Sequence, residues 1–140
     1  MIKIAVVDGQ GGGIGSAIIR KLKENYGESV EIIALGTNAI ATASMMKAKA
    51  NKGATGENAV VQNVNYVDFI IGPLSIVMAN SLMGELTPKM AEAIASARAQ
   101  KILFPLFQEN LSLVGMTGQP FPHLLETLVH EILDERIAHV

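Results

Sequence analysis

The sequence contains no cysteine and no tryptophan, and only 4% of its residues are aromatic. The lack of cysteine excludes disulfides and thiolate metal ligands, and no basic signal segment precedes the first apolar run, so a cytoplasmic setting is expected. So few aromatics leave no platform for stacking single-stranded bases, and 11 Lys and Arg against 13 Asp and Glu form no basic stripe. Nucleic acid is therefore not an expected partner. A membrane is not expected either. Hydrophobic residues reach 49%, yet Gly, Asn, Glu or Pro interrupts each run before the ~20 residues of a spanning helix.

Glycine, by contrast, is concentrated. Five of the seven residues from Gly9 to Gly15 are glycine, placed between the apolar run Ile2–Val7 and a segment where Ile14, Ile18, Ile19 and Leu22 recur at helical spacing. Strand, glycine turn and helix form the setting of an anion-binding loop. Glycine permits φ > 0 and keeps Cβ atoms away from the amides, while the helix N-terminus contributes free N–H groups and a positive dipole end. No Lys follows the glycines, so a P-loop is excluded, and Gly-x-Gly-x-x-Gly fails because its last position falls on Ile14 or Ser16. The alternative to ligand binding is a glycine turn that only packs a helix on a sheet. Asp8, just before the glycines, would repel a phosphate unless it turned away or met a metal or a proton.

The remaining chain alternates apolar strands with helices. Helices are expected at 13–26, 39–50, 74–83, 88–99 and 123–136. Strands are expected at 30–35, 59–62, 67–71 and 101–106, with a possible sixth at 111–115. This pattern predicts one α/β domain over residues 1–140, a three-layer αβα sandwich whose mainly parallel sheet of five or six strands has the order 3-2-1-4-5. Ligands in such sheets bind beyond the carboxyl ends of the strands. That edge would carry Asp8–Gly15, Gly36–Asn38, Gln62–Val64, Gly72–Ser75 and Pro105–Asn110.

The spacing Gly9-x3-Gly13-Ile14-Gly15 resembles the cofactor loop of short-chain dehydrogenases/reductases, which implies a Rossmann-like fold and a dinucleotide such as NAD(P). By that resemblance the ligand residues are Asp8, Gly9, Gln10, Gly11, Gly12, Gly13, Ile14, Gly15, Thr37, Asn38, Asn63, Gly72 and Pro73. The resemblance stops short of catalysis, because neither Tyr26 nor Tyr66 has the Lys four residues later that the family's reaction uses. The end of strand two offers Thr37 and Asn38 rather than an acid for a ribose 2′-hydroxyl or a base for a 2′-phosphate. A wider likeness covers Asp8–Gly15, Ala34–Ala39, Gly53–Asn58, Gly72-Pro73 and Gly84–Met90. There the chain resembles a family of short bacterial proteins known only as a domain of unknown function, which implies a stand-alone Rossmann-like domain and no particular activity.

Three readings follow. The first is a nucleotide- or phosphate-binding domain acting as a sensor or partner module. The second is a small enzyme acting on a phosphorylated metabolite, using Asp8, Asn38 or Glu57. The third is a structural oligomer subunit without a ligand. His123 and His130 stand seven apart, not at the His-x3-His spacing of a helical metal pair, so no metal is expected. Asn80, Ser75 and Ser81 are polar groups in an apolar stretch and need partners in the core, the cleft or a subunit contact. A helix over 74–83 would lack a polar face, which predicts a homodimer.

Overall fold

The computed structural model describes residues 1–107 and 110–137. Five parallel strands, β1 (Ile2–Asp8), β2 (Val30–Gly36), β3 (Lys52–Thr55), β4 (Phe69–Pro73) and β5 (Gln100–Phe104), form one sheet in the order β3-β2-β1-β4-β5. The expected order is present. Along β1 the two-residue period of a strand sends Ile4 and Val6 into one core and Ala5 and Val7 into the other. β2 divides likewise, with Ile32 and Ala34 on one face and Ile33 and Leu35 opposite. Such strands read as unbroken apolar runs because both faces are covered.

The first face carries α1 (Gly13–Tyr26) through Ile18, Ile19 and Leu22, and α2 (Ala39–Lys47) through Ala41 and Met45. The chain's last helical stretch joins them through Leu128 and Leu133. It comprises α5 (Phe121–Thr127), a π-helical segment Leu128–Leu133 and α6 (Asp134–Ile137). The second face holds α3 (Glu57–Asn63) through Val60 and α4 (Pro88–Ser96) through Met90, Ala91 and Ile94. Right-handed crossovers produce this division: after β3 the chain returns past β1 to build β4 and β5, so its helices change face. No helix among the described residues is long and apolar enough to cross a membrane.

Three elements differ from expectation. The third strand is Lys52–Thr55, and Ala59–Gln62 belongs to α3. An edge strand needs only backbone pairing, here with β2 from Ile33 to Gly36, and four residues with little apolar character meet that need. The helix expected over 74–83 is instead two 3₁₀ turns, Leu74–Val77 and Leu82–Gly84. Asn80, Leu82 and Met83 have φ of 69°, 56° and 56°, which an α-helix cannot contain. Hydrogen bonds within the segment hold this path: the Asn80 amide donates to the Leu86 carbonyl and the Ser81 hydroxyl to the Ser75 carbonyl. Finally, residues 110–115 form no strand.

Candidate functional site

The switch point lies between β1 and β4, where a cavity of about 480 Å³ opens at the carboxyl edge of the sheet. Its floor is the loop from Asp8 to Ile14, and its far walls are Pro73, Ser75, Leu82, Pro105, Leu106 and Phe107. The loop turns tightly. Gln10 and Gly12 have φ of 51° and 74°, and the Gly12 amide donates to the Gly9 carbonyl at 2.9 Å.

The glycines divide by purpose. A Cβ at Gly12 would sit 2.8 Å from the Ala41 carbonyl oxygen, and at Gly15 it would lie 2.5 Å from the Met45 sulfur. At Gly9 it would meet the Thr37 hydroxyl, Leu82 and Glu85 within 2.9 Å. Packing alone explains these three. Gly11 and Gly13 are different, since neither needs a left-handed φ and an added Cβ would meet nothing within 4 Å. Both are exposed on the cavity floor, and their amides have no partner among the described residues.

Asp8 turns inward. Its Oδ1 accepts from the Gly9 amide at 2.8 Å and its Oδ2 from the Gly15 amide at 2.7 Å, so the carboxylate caps α1 from beneath. Only 3% of Asp8 is exposed. Burial raises its pKa above the ordinary carboxylate value, against the lowering effect of the Gly15, Gly9 and Ile14 amides and with a smaller upward push from Glu85. Because both oxygens are engaged by its own loop, Asp8 is placed to shape the floor rather than to grip a ligand.

Glu85 was not singled out from sequence, where Gly84-Glu85-Leu86 reads only as a helix break. Its Oε1 accepts from the Thr37 hydroxyl at 2.6 Å, the Gln10 amide at 2.8 Å and the Asn38 side-chain amide at 2.9 Å. These bonds, led by the one from Thr37, lower its pKa and keep it ionised. Asn38 also caps α2 by accepting from the Ala41 amide and donates to the Gln10 carbonyl. Thr37 and Asn38 are thus occupied within the protein.

The cavity brings together Asp8, Gly9, Gln10, Gly11, Gly12, Gly13, Ile14 and Pro73 of the expected set. Gly15, Thr37, Asn38, Asn63 and Gly72 do not line it. Gly72 is required by packing, as a Cβ there would lie 2.5 Å from the Val7 carbonyl oxygen. Asn63 ends α3, where its side chain donates back to the Ala59 carbonyl. It follows a helix rather than a strand, which removes the reason for placing it at the ligand edge. Gln108 and Glu109, within the expected edge Pro105–Asn110, lie outside the described residues.

Other candidate groups are engaged elsewhere. Glu57 accepts from the Thr87 hydroxyl at 2.6 Å and so ties α3 to the start of α4, and the Thr55 hydroxyl pairs with that of Thr42. His130 sits on the surface between Glu126 and Asp134. Among the described residues no three His, Cys, Asp or Glu side chains gather as a metal site.

The family described as "Domain of unknown function (DUF3842)" matches residues 3–137, and the chain belongs to it. No curated protein matches the chain. Among solved structures, a dodecameric FMN-dependent UbiX-like decarboxylase from Escherichia coli O157:H7 is similar at 17% identity and a TM-score of 0.46. That similarity spans 99% of this chain and 76% of the other.

Proposed function

We propose that this chain binds a small phosphorylated molecule on the Gly11–Gly13 loop and acts as a sensor or partner module in the cytoplasm. The observation that carries the reading is the pair Gly11 and Gly13. Glycine there serves neither a turn nor internal packing, but it leaves two backbone amides open to the cavity. A volume of about 480 Å³ suits a small ligand, and the walls are mostly apolar with few polar groups. Asp8 is the one ionisable side chain among the described lining residues, and both its oxygens are held by amides. Binding is therefore a better reading than acid–base catalysis on a phosphorylated metabolite. NAD(P) is one member of the ligand class that a glycine loop of this kind can hold.

A thermal-shift series tests the proposal, because a ligand that binds only the native state raises the melting temperature. Inorganic phosphate, AMP, FMN, ADP-ribose, NAD+ and NADP+ form the panel. At least one should stabilise the chain, and Gly13→Val should abolish the shift. The valine Cβ enters open space, so its own melting temperature should stay close to that of the parent. No response to any compound, or an undiminished response in Gly13→Val, removes the phosphate reading and leaves the purely structural one.

A further inference from the structure

The space around the loop is lopsided. Every described lining residue beyond the loop comes from the ends of β4 and β5 or from the turns after them, and none comes from β2. The end of β2, where the second arm of a dinucleotide would lie in this fold, is filled by the chain itself. Leu82 and the Glu85 carboxylate stand over Gly9, and Glu85 holds Thr37, Asn38 and Gln10 in a three-donor clamp. An ionised carboxylate at that point also repels a second phosphate.

On the other side Ser75 is only 3% exposed and lines the cavity, yet its hydroxyl has no hydrogen-bond partner among the described residues. A hydroxyl at a cavity wall with no protein partner is a place for a ligand oxygen. Around it Pro73, Leu82, Leu106 and Phe107 offer apolar surface.

From the clamp over β2 and the cavity toward β5, we infer that the ligand is a phosphate monoester lying across β1 toward Ser75, not a dinucleotide. This rests on the phosphate reading above and narrows it. The phosphate meets the Gly11 and Gly13 amides, Ser75 bonds a polar atom of the ester's body, and the apolar wall takes an uncharged, planar or aliphatic part.

Calorimetric titration of the whole chain tests the narrowing. The probes are inorganic phosphate, ADP-ribose, NAD+, and two monoesters whose planar bodies differ in size, AMP and FMN. One of the monoesters should bind at least about tenfold more tightly than ADP-ribose and NAD+, a gap of about 1.4 kcal/mol. Ser75→Ala should weaken that monoester about five- to tenfold, the loss of one hydrogen bond, and leave inorganic phosphate unchanged. ADP-ribose or NAD+ binding as tightly as the better monoester, and lost in Gly13→Val, would overturn the inference while the phosphate reading stands. If none of the probes binds, both fall together. Undiminished monoester affinity in Ser75→Ala overturns the assignment of Ser75.

Discussion

Asp8 and Glu85, two carboxylates beside one loop, respond to pH in opposite senses. Glu85 has a folded pKa below its ordinary 4.5, so its contribution to stability is present above that pH and is lost as pH falls through the lowered value. Asp8 has a folded pKa above its ordinary 3.8. Its contribution is fully present below 3.8 and is lost as pH rises through the raised value, which makes ionised Asp8 a cost at neutral pH. Glu85→Gln should destabilise the protein at pH 7 by on the order of 1 kcal/mol, because one acceptor of three donors is weakened. The difference between parent and variant should shrink as pH is lowered below 4.5. Urea unfolding at a series of pH values checks this, and a difference that grows toward acid would show that Glu85 is held by something other than its charge. Neither role could be read from sequence. Asp8 was visible as a charge beside a phosphate loop, but the inward turn that reconciles the two depends on where the Gly9 and Gly15 amides point.

At the scale of elements, periodicity explains what was legible. Four of the five strands carry apolar residues on both faces, and α1 and α4 carry the spacing of a buried stripe, so their existence followed from residue type. The segments that differ are those whose path is set by particular hydrogen bonds rather than by residue periodicity. β3 borrows its regularity from β2, and the turn from Asn80 to Gly84 is fixed by bonds to Leu86 and Ser75. That turn is strained, since left-handed backbone costs a residue with a Cβ about 1–2 kcal/mol. Met83 has φ 56° and is 90% exposed, so its side chain gives little in return. In the single chain, Met83→Gly should therefore raise stability by up to about 1 kcal/mol, after allowing for the freedom glycine adds to the unfolded chain. Thermal melts measure it, and a lower melting temperature would show that the methionine is engaged.

At the scale of the molecule, the sheet order followed from alternation and handedness alone, even though the third strand had been placed on the wrong residues. The floor of the candidate site was legible as a cluster of glycines. Its walls were not, because Leu82, Leu106 and Phe107 are ordinary apolar residues until the topology brings the ends of β4 and β5 beside the loop. We propose that the chain self-associates through the turn over residues 78–83. With no helix over 74–83, the apolar groups that this stretch leaves in water are fewer, chiefly Met83 with Met78 half-buried. A dimer through this turn should show twice the 14.9 kDa chain mass in light scattering and revert to one chain in Met83→Glu. A single-chain mass at micromolar concentration would end that proposal.

The position of β1 at the centre of the sheet has a consequence for how the chain is made. β1 pairs with β2 along one edge and with β4 along the other, and synthesis delivers β2 well before β4. Until residues 69–73 emerge from the ribosome, the middle of the sheet is its rim, with unpaired backbone from Ile4 to Val6. The face beneath Ala5 and Val7 also lies bare until α3 and α4 arrive to cover it. A nascent chain paused in that interval presents a sticky border to its neighbours, and this is the stage at which a chaperone has most to shield.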